Sequence, residues 1–299
     1  MKMKMPASWV LVFVSVWAVS CSRPAAPKAA SPRIITFAPH ATQIALDLGL
    51  AGHIVGVTTH CNLPAGMSVA VLGDGFKINS EAAAVVKADI LFHNTDDTDF
   101  RRQLPGVKIV RMKNGSLATL REGIRQMGEL TGRSQQAAAL LGQIDGSLDA
   151  VRRGVEGRSR PRVLFVLGTD KPTTVGAGWT ISELIEIAGG VNAAAEKGLR
   201  SWGTINLETI ESIQPDVLIC QVDAGSLNIQ AARQYWQRWG NLKAVRNGRL
   251  IVTDDASLTI EDSHVGAIAA KLAAMIHPGV FLPIPAAASA ASAPAEKAP

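Results

Sequence analysis

One stretch of this chain occurs twice. Ile78-Asn-Ser-Glu-Ala-Ala-Ala-Val-Val-Lys-Ala-Asp-Ile-Leu-Phe92 and Ile205-Asn-Leu-Glu-Thr-Ile-Glu-Ser-Ile-Gln-Pro-Asp-Val-Leu-Ile219 align without a gap. Each places Asn at a helix N-cap with Glu two residues later. Each then runs one short helix and turns at Ala/Pro-Asp into a buried apolar strand. Such spacing constrains the fold strongly, because one supersecondary unit is used twice. Its flanks also recur. Arg33-Ile-Ile-Thr-Phe37 has a counterpart in Arg162-Val-Leu-Phe-Val166, each after a Pro. A helix Thr42–Leu48 closed by Gly49 matches Ile181–Ala188 closed by Gly189-Gly190, and strand Val107–Val110 matches Arg249–Val252. Strands alternate with helices throughout, which implies parallel sheets with crossover helices. The reading is α/β, with two homologous Rossmann-like lobes.

Apolar residues at 117, 120, 124, 127 and 130 predict a helix over Ser116–Leu130, broken at Thr131-Gly132. A single long helix then follows over Ser134–Val155, capped by Ser134, with Leu140, Leu141, Ile144, Leu148 and Val151 on one face. Gly142 and Gly146 each cost it about 1 kcal/mol relative to Ala. About 20 helical residues span roughly 30 Å, enough to run along the back of both lobes. The expected organisation is an N-terminal lobe at 32–133, a linking helix at 134–156 and a C-terminal lobe at 157–280.

The 299 residues suffice for two domains, and an apolar share of 47% excludes a disordered chain. Net charge is +5, but Arg is scattered. The basic run Arg152–Arg162 reads as a solvated interlobe linker, and no Lys/Arg stripe interleaves with aromatics, so no nucleic-acid partner is expected. Lys2 and Lys4 precede an apolar run, Trp9–Val19, that is too short to span a membrane. Residues 1–20 therefore read as a signal peptide. Ala18-Val-Ser-Cys21 resembles a bacterial lipobox, predicting cleavage before Cys21 and lipid on its sulfur. Ala18 stands where Leu is usual, which leaves a plain secretory signal as the alternative. Residues 21–31 read as a flexible tether and 281–299 as a disordered Ala/Ser/Pro tail. The domain then lies in an extracytoplasmic, oxidising compartment. Cys61 and Cys220 have no spacing that recommends a disulfide or metal clip, and are read as free thiols.

No hydrolase elbow, zinc helix, P-loop or dinucleotide fingerprint is present. The glycines of Val175-Gly-Ala-Gly178 follow a loop, not a strand. His40, His60 and His93 fall at strand-to-helix loops, the edge where open α/β sheets bind ligands. Each alone reads as an ordinary surface or hydrogen-bonded histidine. Trp202 on a polar approach to a helix, and Trp179 among glycines, read as exposed indoles that a ligand or partner covers. Trp236 and Trp239, at helical spacing, read as packing. Glu81 and Glu208 occupy equivalent first turns. Either each complements its helix dipole, worth roughly 0.3–1 kcal/mol, or they form a pair of acidic knobs able to meet Arg residues on a two-fold partner.

Arg33-Ile-Ile-x-x-Ala-Pro-His40, Ile54-Val-Gly-Val57 followed by Cys61-Asn-Leu-Pro64, Val175–Gly190, Ile205-Asn-Leu-Glu208…Pro215-Asp-Val-Leu218 and Leu242–Val252 together resemble a known family. It is that of the cobalamin-binding proteins of bacterial ABC importers, within the corrinoid, siderophore and haem receptors with a helical backbone between the lobes. The resemblance covers about residues 32–278. It implies the class III periplasmic binding protein fold, ligand held in the cleft, and docking on a permease through Glu81 and Glu208. It also implies that Trp202 lines the corrin site, that His60 replaces a contacting Tyr, and that Asp255 is a polar contact. Departures lie at Gly75-Phe76 and His93-Asn94, where the family has Trp, at Gln43 for a Glu, and at Thr259–His264 for a basic segment. Fewer rings with added His and Asp imply a smaller or differently charged chelate. Pro39, His40, Thr59, His60 and Phe76 are the expected ligand contacts on the first lobe. Asn94 joins them there, and Trp179, Trp202 and Asp255 are expected on the second.

The expectation is a monomeric, lipid-anchored solute receptor without catalysis, resident cofactor or metal. It captures a corrinoid or related metal chelate and delivers it to a permease. An iron-siderophore or haem receptor is the alternative within the superfamily. An extracytoplasmic redox or metal-handling enzyme using His40, His60, Cys61 and Asp255 is the reading from another class.

Overall fold

The computed structural model describes residues 32–95, 99–223 and 229–280. The expected signal peptide, the expected lipidation at Cys21, and the expected tether and C-terminal tail lie outside the described residues.

The first lobe contains β1 (Ile34–Phe37), α1 (Pro39–Asp47), β2 (Ile54–Val57), β3 (Ala70–Val71), α2 (Ser80–Val85), β4 (Ile90–His93), α3 (Phe100–Gln103), β5 (Lys108–Arg111) and α4 (Leu117–Leu130). Its strands lie in the order β3-β2-β1-β4-β5, every pair parallel. α5 (Ser134–Gly154) leads into the second lobe. There follow β6 (Arg162–Leu167), β7 (Thr173–Val175), α6 (Thr180–Ile187), β8 (Val191–Asn192), α7 (Ala193–Glu196), β9 (Trp202–Thr204) and α8 (Leu207–Ile213). β10 (Val217–Gln221), α9 (Ile229–Gln237), α10 (Lys243–Arg246), β11 (Leu250–Thr253) and α11 (Val265–Ile276) complete it.

The α/β class and the long linking helix are as expected. The second sheet, however, is mixed, in the order β11-β10-β6-β7-β9. β6 pairs parallel with β10 and β8, whereas β7 runs antiparallel to both β6 and β9. A tight reversal causes this, with Gly168 and Lys171 at positive φ (73° and 53°) between β6 and β7. α1 also starts earlier than the apolar pattern suggests. Pro39 takes its first position, where a missing N–H costs nothing and φ is preset.

The repeated unit has the same wiring in both lobes. Asn79 Oδ1 accepts the Ala82 N–H (3.0 Å) and Asn206 Oδ1 the Thr209 N–H (2.8 Å). Both helices end near a left-handed residue, Lys87 and Gln214, each at φ 46°. Asp89 and Asp216 then accept the N–H of Arg33 and Arg162, each at 2.8 Å. Each Arg side chain reaches back to the helix-end carbonyls of Val86 and Ile213. The Asp of the turn and the Arg opening the central strand are thus one device for satisfying backbone groups at a sheet end.

Side-chain alternation divides each sheet between two cores. Ile35, Phe37 and Leu91 pack into a core private to the first lobe, and Leu164, Val166 and Leu218 into one private to the second. Ile34, Phe92, Val163, Phe165, Val217 and Ile219 face a third core, to which α4, α5, α6 and α11 contribute from both lobes. Small residues let α5 approach its neighbours. A Cβ on Gly128 would lie 2.5 Å from Ala137 Cβ, and one on Gly266 would lie 1.9 Å from Ser147 Oγ. Leu140, Ile144, Leu148 and Val151 are buried on the predicted face, while Leu141 is only partly covered.

The lobes also meet along a polar seam. Glu183 of α6 accepts the Leu117 N–H at the start of α4, and Glu261 accepts the Gly115 N–H, both at 2.7 Å. Ser263 donates to Asp47 of α1. Burial pushes the Asp47 and Glu261 carboxyls upward. A hydrogen bond from the His264 imidazole to the Asp262 carboxylate raises the His264 pKa.

Candidate functional site

A cavity of about 670 Å³ opens at the carboxyl ends of β1, β2 and β4. This is the topological switch point of the first sheet, where strands on either side of β1 diverge and leave a crevice. Phe37, Ala38 and Pro39 form its floor as β1 gives way to α1, and Thr58 and His60 follow β2. Asn94 and Thr95 follow β4, and Asp74, Gly75 and Phe76 form the outer lip.

The lip is a tight loop. Gly73 bridges to Ile78 at φ 154°, and any Cβ there would lie 2.0 Å from the Lys77 carbonyl oxygen. Asp74 Oδ1 accepts the N–H groups of Lys77 (2.8 Å) and Phe76 (2.9 Å). These bonds, Lys77 first, hold its carboxyl below the usual range. The loop presents Phe76 to solvent at 77% exposure. A large apolar side chain so displayed at a cavity mouth is a contact surface awaiting a partner.

Pro39, His60, Phe76 and Asn94 are therefore gathered in one wall. Thr59 lies beside it, exposed, its N–H bonded to the Gly73 carbonyl, and the buried Thr58 supplies the lining instead. His40 is in the first turn of α1, turned toward a narrow cavity with Met112, Ser116 and Glu261. It is buried, its Nε2 has no protein partner, and desolvation lowers its pKa to about 4, with Asp262 acting in the opposite direction. His93 ends β4, packed edge-on against Phe100 at 4.9 Å. Among the described residues, no group of three or more His, Cys, Asp or Glu is placed to hold a metal ion.

The tryptophans differ from the exposed loop indoles expected. Trp202 opens strand β9, half-buried, with Phe165 (6.3 Å) and Trp179 (6.4 Å) edge-to-face on it. Trp179 lies against Gly115 of the first lobe. Pairing of β9 with β7, invisible in a run of three residues, is what gives Trp202 its neighbours. Trp236 is fully buried, as its spacing implied. Asp255 follows β11 and accepts from Lys271 Nζ (2.6 Å) and from both N–H and O–H of Ser257. Burial disfavours its charge, but Lys271 and Ser257 hold the carboxyl below the usual range.

Glu81 and Glu208 are the second residues of α2 and α8, both exposed and neither paired within the described residues. Cys61 is a free thiol touching Thr42 and Thr58 hydroxyls at 3.0 and 3.1 Å. Cys220 is free and buried, and burial pushes its thiol up to about 11, the Trp236 side chain acting in the other direction. Asp74, Thr58 and Thr95 were not anticipated. The Asp-Gly pair of Gly73-Asp74-Gly75 is a turn signal that could have located the lip, though not its place on the cavity.

Known proteins carry the same architecture. The vitamin B12-binding protein of Salmonella choleraesuis is 23% identical over 218 residues, covering 71% of this chain and 79% of that protein. That of Vibrio parahaemolyticus is 24% identical over 229 residues, covering 73% and 79%. Among solved structures, the periplasmic haem-binding protein RhuT from Roseiflexus superposes with a TM-score of 0.69 at 23% identity, covering 82% of this chain and 98% of that one. The periplasmic vitamin B12 binding protein BtuF of Vibrio cholerae gives 0.68 at 19% identity, covering 82% and 96%. Haem-bound IsdE of S. aureus gives 0.69 at 21%, covering 82% and 99%. Residues 34–256, the two lobes and the helix between them, match the periplasmic binding protein family, and the chain belongs to it.

Proposed function

We propose that this chain is the solute receptor of an ABC importer and takes a corrinoid or a related metal chelate into the cavity on its first lobe. The observation that carries the reading is the cavity itself, with an exposed Phe76 ring at its lip and neutral polar groups from Thr58, Asn94 and Thr95 behind it. Its volume lies within the range of small-molecule sites. The curated relatives named for vitamin B12 support the ligand class. Ring contact with Phe76 supplies apolar burial, and the polar groups fix orientation. The receptor performs no chemistry. The shared core and the seam behind the lobes favour small interlobe motions on binding. Glu81 and Glu208, equivalent and unpaired, dock it on permease arginines, and lipid on Cys21 holds the monomer at the extracytoplasmic membrane surface.

Titration of the protein with cobalamin and cobinamide, followed by tryptophan fluorescence, tests this. Saturable quenching at micromolar ligand or below, weakened at least tenfold by Phe76→Ala, is expected; its absence with both corrinoids removes the corrinoid reading. Charge reversal at Glu81 and Glu208 together is expected to abolish uptake with binding intact.

A second reading has its own observation. The His60 imidazole lines the cavity and is exposed, free to meet the metal of a haem. Haem spectra that shift on binding and change in His60→Ala would favour it.

A further inference from the structure

The charged groups of the cavity wall point to a selection rule. Among the described residues, Asp74 and His60 are the titratable side chains that line it, and neither Lys nor Arg does. The remaining polar groups, Thr58, Asn94 and Thr95, are neutral. Lys77, three residues from Asp74, meets it through its backbone N–H, not as a cation lining the cavity. The Asp74 carboxylate is fixed in place, because Oδ1 is held by two N–H groups of its own loop. Those bonds also keep it ionised through the neutral range.

From this arrangement we infer that Asp74 makes the receptor discriminate among metal chelates by peripheral charge, preferring carboxamide-bearing or cationic chelates over those carrying carboxylates. The inference rests on the receptor reading above. A flat chelate seated against Phe76 brings its peripheral groups to the lip and displaces water there. With water displaced, a fixed negative charge acts more strongly on those groups than it does in bulk solvent. A carboxylate near Asp74 finds repulsion, and no Lys or Arg among the described wall residues offsets it. An amide finds acceptors and donors in Asp74, Asn94 and the threonines. Specificity of this kind arises from the penalty on the wrong ligand as much as from contacts to the right one.

The test uses three probes on the full chain: cobinamide, which carries carboxamides, haem, which carries two carboxylates, and the dimethyl ester of haem, which masks them. The wild type is expected to bind cobinamide and the ester more tightly than haem. In Asp74→Asn the side-chain oxygen still accepts both N–H bonds, so the loop and the melting temperature stay unchanged while the charge is gone. The preference for ester over haem should then shrink roughly fivefold to tenfold. It should also shrink in the wild type as salt rises from low to physiological strength. A ratio unmoved by both the substitution and salt overturns the inference and leaves the receptor intact. Saturable binding of none of the three probes overturns the receptor reading and this inference with it.

Discussion

The two copies of the repeated helix keep the same Asn cap, the same left-handed residue and the same Asp–Arg connection, yet they pack differently. α2 buries only Ala83 and leaves Val85 77% exposed, whereas α8 buries Ile210 and Ile213 in the second private core. Ahead of α2 the Gly73–Phe76 loop opens a cavity; ahead of α8 strand β9 closes the same side against β7. One lobe therefore offers an open hollow lined by both apolar and polar side chains, and the other an edge-to-face aromatic column. Shared residues are those that satisfy backbone groups, which both copies need equally. Residues on the free faces have diverged, because each face meets something different.

The sharpest way to break this comparison is to shorten an aromatic on each side. Phe165, buried beneath Trp202, is expected to cost about 3–5 kcal/mol as Phe165→Ala, whereas exposed Phe76→Ala stays within about 0.5 kcal/mol. Denaturant midpoints measure both, and equal losses would mean that Phe76 is a packing residue.

Acid offers a second contrast, centred on His40 of the first lobe. His40 titrates near 4 when folded and near 6.5 when unfolded, so between these values the unfolded state binds the proton. Stability from His40 is present above the unfolded value and is lost as pH falls through that window, on the order of 3 kcal/mol in all. Asp47 and Glu261, with raised folded values, bind protons in the folded state and oppose this loss lower in the window. His264, raised by Asp262, gives up its contribution only as pH rises above 6.5. Melting curves from pH 7 to 4 should show the decline, and His40→Gln should flatten it. An unchanged slope in that variant would place the acid sensitivity elsewhere.

Smaller effects sharpen the symmetry. Asn79→Ala and Asn206→Ala are each expected to cost about 1 kcal/mol, since both remove one cap bond of similar length. A difference well beyond 1 kcal/mol between them would show that packing, not the cap, sets the value of the motif. Smallest of all, Gly142→Ala and Gly146→Ala in α5 should each add about 0.5–1 kcal/mol, because a Cβ at either position meets open space. Thermal melts that fall instead would reveal a contact on that face of the linking helix.

Much of this architecture is legible in the chain because it depends on local chemistry. The Asn caps, the turns at Asp89 and Asp216, the apolar face of α5 and the period of α4 all follow from residues a few positions apart. Of the histidines read at strand-to-helix loops, His60 lines the cavity while His40 turns to a separate one; Pro39, Phe76 and Asn94, expected from the family resemblance, lie in the same wall as His60. Trp202 was read as a loop indole because a three-residue strand carries too little pattern to reveal its pairing, and Thr59 sits in the turn after β2, where alternation no longer says which residue faces the cavity.

By itself, then, the sequence determined two α/β lobes, their duplicated helix and the long helix between them, because hydrogen-bond satisfaction and periodic burial are settled within short windows. The antiparallel edge of the second sheet, the Trp202 column, the position of Asp74 on the cavity and the bond from Gly115 to Glu261 were decided only in three dimensions. Each joins groups that no local rule brings together, and their contact energies exist only after the two sheets and the helices around them have closed on a common core.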